Sequence, residues 1–160
     1  MTIRERLVDL GLELPKPFVY PSPNRTGCVV TRHLLYTSGH PPPENFGVRT
    51  TGKVGAPTDL DGVSEEEAYQ AARATALNIL ASVEQETGSL DRITQVVKVY
   101  GMVNSAPGFD RQFAVIDGAS DLFHELFGAK AGQHARSAVG MFELPRGFCM
   151  EIEAIFALRD

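Results

Sequence analysis

Arg136 precedes Ala138 and Gly140 by two and four positions, so on a strand the three share one face and the guanidinium looks out over small residues. A planar guanidinium beside open space can hold a carboxylate through two parallel hydrogen bonds. Glu151 supplies a carboxylate that can position or polarise water if it reaches the same pocket. Gly39, which closes a Ser38-Gly39 strand end, allows backbone N–H groups to approach a ligand closely. Tyr20 lies in a stiff, proline-rich stretch that can lay an aromatic ring against such a pocket. Each residue also has a plainer reading. Arg136 would form a structural ion pair with Glu151 or Glu153, Gly39 would simply end a strand, and Tyr20 would pack on the body.

Other chemistries find little support. His33, His40, His124 and His134 show no pairing at helical metal-ligand spacing, and neither Cys28 nor Cys149 adds a nearby ligand, so no metal is expected. No G-x-S-x-G setting for a hydrolytic triad occurs. Gly52-Lys53-Val54-Gly55 lacks the spacing and the Ser/Thr of a phosphate loop, and no cofactor is expected. Lys98 reads as a snorkelling surface lysine. A net charge of -5 and a pI of about 5.4 provide no global positive field for nucleic acid or an anionic membrane. Without a C-x-x-C pair or an apolar leader, the chain reads as a reduced, cytoplasmic protein.

With 160 residues and 43% hydrophobic content, the simplest organisation is one domain over 1–160, its first 27 residues forming a short helix and an extended proline-rich arm. Near-helical spacing of Ile3, Leu7, Val8 and Leu10, ending at Gly11, predicts that helix. A hairpin is expected over residues 28–38, turning at Thr31-Arg32-His33. Ser64 and Glu67 form a capping box opening an alanine-rich helix that directs Ala68, Ala72, Ala76, Ile79, Leu80 and Val83 inward and closes at Gly88. Arg92 to Val103 should be a strand. A second helical region is expected from Pro107 to Phe127, with a break at Asp117-Gly118 and its aromatics in the core, followed by a loop to Gln133.

The last two strands, Ala135 to Phe142 and Cys149 to Leu158, are expected to form a hairpin about Leu144-Pro145-Arg146-Gly147. Met150, Ile152, Ala154, Phe156 and Leu158 should face a core. In that register Arg136 lies opposite about Ile155, and Glu151 is roughly 13 Å away along its strand. The two would then meet only across a boundary between chains. The element order gives an α+β sheet with two helices on one face.

The stretch from His134 to Leu158 resembles the C-terminal signature of the Rid (YjgF) family, A-R-S/A-x-V-x-x-x-x-L-P followed by E-I-E-A-I-A. Arg136, Leu144-Pro145 and Glu151-Ile152-Glu153-Ala154-Ile155 match it, and Tyr36-Thr37-Ser38-Gly39, Gly52-Lys53-Val54 and Gly88 through Val103 extend the likeness upstream. The resemblance implies a chorismate-mutase-like α+β sandwich with a mixed sheet, assembled as a homotrimer around a central barrel, with ligand sites between subunits. It implies hydrolysis of enamines and imines such as 2-aminoacrylate to 2-oxo acids and ammonia, or alternatively non-catalytic binding of a small carboxylate. Arg136 would grip the substrate acid, Glu151 would orient water and Gly39 would contribute backbone. Ala138 replaces the family's cysteine, Tyr20-Pro21-Ser22 is the nearest match to the active-site tyrosine segment, and the longer N-terminus resembles a less-characterised branch.

Overall fold

The structure, a computed structural model, describes residues 1–159. Three helices, α1 (Ile3–Asp9), α2 (Glu65–Thr87) and α3 (Gln112–Ala131), accompany five strands, β1 (Cys28–Thr31), β2 (Leu34–Thr37), β3 (Ile93–Asn104), β4 (Ala135–Met141) and β5 (Met150–Leu158). The strands form one mixed sheet in the order β1-β2-β5-β3-β4, in which only β3 and β4 run parallel. Among the described residues no helix is long and apolar enough to cross a membrane.

Local chemistry explains most of the boundaries. Thr2 and Glu5 cap α1 reciprocally, and Leu7 anchors the helix in the core. Ser64 and Glu67 do the same for α2, which ends at Gly88 with φ of 79°, as its sequence predicts. The inward residues expected of α2 are all buried, as are Met150, Ile152, Ala154, Phe156 and Leu158 of β5. The β1–β2 hairpin forms with Thr37 opposite Cys28 and turns at Arg32-His33, where Arg32 takes φ of 53°. Lys53 braces the sheet end: its Nζ donates to Asn104 Oδ1 at 2.9 Å, and Asn104 Nδ2 donates to Phe148 O at 3.0 Å.

Three expectations are corrected. β4 and β5 do not form a hairpin, because β3 lies between them: Arg136 stands opposite Val99, and Val99 opposite Ala154. Residues 142–149 step over the end of β3, where Asn104 N donates to Cys149 O and Ser105 N to Met141 O, both within 3.1 Å. Crossing one intervening strand requires about 10 Å, which this connection spans easily. The second helix begins at Gln112, because Gly108 takes φ of 83° and Phe109 is held in the turn beneath Gly55. It continues to Ala131 through Asp117 and Gly118, and its one non-helical residue is Gly128. Phe123 is buried, but Phe113 is 51% exposed rather than in the core.

Gly118 serves close packing of α2 against α3. A Cβ there would lie 2.1 Å from Tyr69 O, a contact that backbone cannot relieve by a rotamer change. We expect Gly118→Ala to destabilise the fold by about 2 kcal/mol, read as a lowered urea midpoint. An unchanged midpoint would mean that the helices separate freely.

Candidate functional site

The parity of the strands determines which candidates can meet. α2 and α3 cover one face of the sheet, and the buried residues of β3 and β5 point toward them. Glu151 pairs with Met102 on the opposite, helix-free face, whereas Arg136 pairs with the core-facing Val99. Within one chain the arginine and the glutamate therefore occupy opposite faces.

The structure does bring Glu151, Gly39 and Tyr20 together. The end of β2 continues beside β5 through His40, whose N donates to Ile152 O at 2.8 Å and whose O accepts from Ile152 N at 3.0 Å. This pairing seats Gly39 against the glutamate, so closely that a Cβ on Gly39 would stand 3.3 Å from Glu151 Oε2. No hydrogen bond or ion pair holds the Glu151 carboxyl among the described residues, and burial raises its pKa above the ordinary carboxylate value. Tyr20 reaches in from the arm and donates from its hydroxyl to Gly39 O at 2.8 Å. Burial pushes the pKa of that hydroxyl well up, so it remains a neutral donor.

His40, weighed from the sequence only as a metal ligand, organises this cluster. It is fully buried. Nδ1 lies 2.7 Å from Ser38 O, which can only accept, so Nδ1 carries the proton and Nε2 accepts from Ser82 Oγ at 2.8 Å. Its ring meets Tyr20 edge-on at 5.9 Å, and Tyr20 meets Phe18 likewise at 4.9 Å. Burial lowers the His40 pKa to about 4, leaving the ring uncharged at neutral pH. The signal in the sequence is a histidine followed at once by three prolines, which have no N–H and leave the ring to secure the bend.

Arg136 lies in a separate cavity of about 290 Å³, lined also by Ser120, His124 and His134. Its Nη1 donates to Asp117 Oδ1 at 2.7 Å and to Ser120 Oγ at 3.0 Å. The ion pair is thus made with Asp117 of α3, not with Glu151 or Glu153. Its other donors make no hydrogen bond among the described residues, leaving capacity for a carboxylate. Ala138 follows on the same face of β4, opposite Gly101 and packed against the core. The thiols are buried and unpaired, and burial pushes both Cys28 and Cys149 up to about 12, so neither is a ready nucleophile.

A mixed sheet in this strand order, backed by two helices that run side by side in the same direction, with Glu65 against Arg111, Tyr69 against Asp121 and Arg73 against Glu125, is the YjgF/chorismate-mutase-like fold. The sequence model described as "YjgF/chorismate_mutase-like, putative endoribonuclease" matches residues 4–150. The chain belongs to that family. Protein TCP17 of Trypanosoma cruzi is 37% identical over 158 residues, covering 99% of this chain and 95% of that protein. The structure of Atu1372 from Agrobacterium tumefaciens superposes with a TM-score of 0.84 at 39% identity, over 98% of this chain and 92% of the other. A "putative endoribonuclease" from Shewanella oneidensis superposes with a TM-score of 0.89 at 30% identity, over 99% and 100%.

Proposed function

We propose that this chain hydrolyses small imines and enamines of the 2-aminoacrylate type to 2-oxo acids and ammonia, at clefts between the subunits of a homotrimer. The observation that carries the reading is the Glu151 carboxyl, half-buried, without a hydrogen-bonding partner among the described residues and raised in pKa beside the Gly39 backbone. A carboxylate whose pKa is raised by burial is a stronger base toward a neighbouring water. Water adds to the imine carbon while Glu151 takes its proton. The carboxyl then returns that proton to nitrogen, giving a carbinolamine, and the C–N bond breaks as the hydroxyl proton passes to the departing nitrogen, releasing ammonia and leaving the carbonyl. Arg136 holds the substrate carboxylate from a neighbouring chain, a reading supported by its place on the face opposite Glu151. The uncovered sheet face, with Tyr36 and Val97 exposed and Tyr100, Met102 and Ile155 half-buried, favours such an assembly.

Non-catalytic binding of a small carboxylate is the second reading, favoured by the prior engagement of Arg136 with Asp117. A dehydratase that releases 2-aminoacrylate separates the two. The native protein should speed 2-oxo acid formation, and Arg136→Ala should lose ten- to a hundredfold of that acceleration, on the order of 1.5 to 3 kcal/mol for a charge-assisted hydrogen bond. Absence of acceleration by the native protein across several imino acids would leave only the binding reading.

A further inference from the structure

Beyond this cluster, the structure holds a cavity of about 640 Å³ between the N-terminal arm and the loop after His40. None of its walls comes from Gly39, Tyr20, Arg136 or Glu151. Its volume lies within the range of small-molecule sites. Phe18, Phe46, Phe148 and the buried run Pro41, Pro42 and Pro43 give it flat apolar walls. Lys16 and Arg146 stand at its exposed side with a single opposing carboxylate, Glu44, so the rim is net positive. Neither cation makes a hydrogen bond or an ion pair among the described residues.

Asn78 also lines this cavity, and it is 1% exposed. Its Nδ2 donates to Pro41 O at 2.9 Å, and because that carbonyl can only accept, the orientation of the amide is settled. Its Oδ1 is the buried side-chain oxygen left without a partner among the described residues. Buried polar atoms are rarely left so, and one on a residue that lines a cavity calls for a donor.

We infer that this cavity binds a small aromatic carboxylic acid carrying a hydroxyl or N–H donor. The ring lies between the phenylalanine and proline walls, the donor reaches Asn78 Oδ1 and the carboxylate meets Arg146 and Lys16. A site built to receive a donor rejects an analogue that lacks one, because its buried acceptor stays unpaired.

Titration calorimetry with 4-hydroxyphenylacetate and phenylacetate tests the inference, since the two probes differ only in the hydroxyl. The native protein should bind the hydroxylated acid about tenfold more tightly. In Asn78→Leu that preference should fall to near unity. Should Asn78→Leu fail to fold, Arg146→Asn remains informative, because asparagine tolerates the φ of 55° at this exposed turn. That variant should weaken both acids about tenfold while keeping the preference. Equal native affinities, or no binding of either acid, would mean that water alone serves Asn78 and would overturn the site.

Discussion

Glu151→Gln should reduce imine hydrolysis by a hundredfold or more while leaving the melting temperature unchanged or higher. General acid–base groups contribute roughly 10² to 10⁴ in rate, and glutamine keeps the shape of the side chain but cannot exchange a proton. The stability side follows from the raised pKa. Below the ordinary glutamate value of 4.5 the carboxyl is protonated in both folded and unfolded chains, and its neutral form suits the half-buried setting. As pH rises through the raised folded value, the unfolded chain releases its proton first and stability declines. Thermal melts across that interval should show the decline in the native protein and not in the glutamine variant. Full turnover by Glu151→Gln would remove the carboxyl from the chemistry, whatever the melts show.

Acidification from pH 6.5 to about 4 should cost the fold about 3 kcal/mol through His40 alone. In this interval the unfolded histidine binds a proton and the buried one does not. The contribution is fully present above 6.5 and is lost as pH falls toward 4. Protonating Nε2 would also break its acceptance of the Ser82 hydroxyl proton. Urea midpoints measured across this interval should fall more steeply for the native protein than for His40→Gln, whose side chain stays neutral. Parallel curves would mean that His40 is accessible to protons in the folded state. Because His40 ties down the Ser38 carbonyl next to Gly39, the native protein should also lose activity in acid before it unfolds.

The parts of this fold legible in the sequence are those specified by neighbours along the chain. The Ser64–Glu67 box, Gly88 and the alternation of β5 each depend on a few consecutive residues, and each is found as expected. Strand partnership is not local. Alternation identifies β4 and β5 as strands but carries no record of β3 entering between them, so the proposed facing of Arg136 and Ile155 fails. Gly118 is similarly ambiguous, since a glycine that breaks a helix and one that admits a neighbouring helix look the same in sequence. At the site, Gly39, just past the end of β2, and Glu151 on β5 come together through the pairing of His40 with Ile152, but the roles of His40 and Asp117 depend on contacts with Ser82 and Arg136, far away in the chain.

In the proposed reaction centre Glu151 comes from one chain and Arg136 from another. Two proteins, Glu151→Gln and Arg136→Ala, can be co-expressed so that their chains mix, and the assemblies assayed by coupled 2-oxo acid formation. Each variant alone lacks one half of every site. If neighbouring chains share the site, random mixing restores an intact glutamate and an intact arginine to about one site in four, half times half, and about a quarter of native activity should return. If the mixture is no more active than its parents while the native protein turns over, the two residues do not act across a subunit boundary and the shared cleft is wrong.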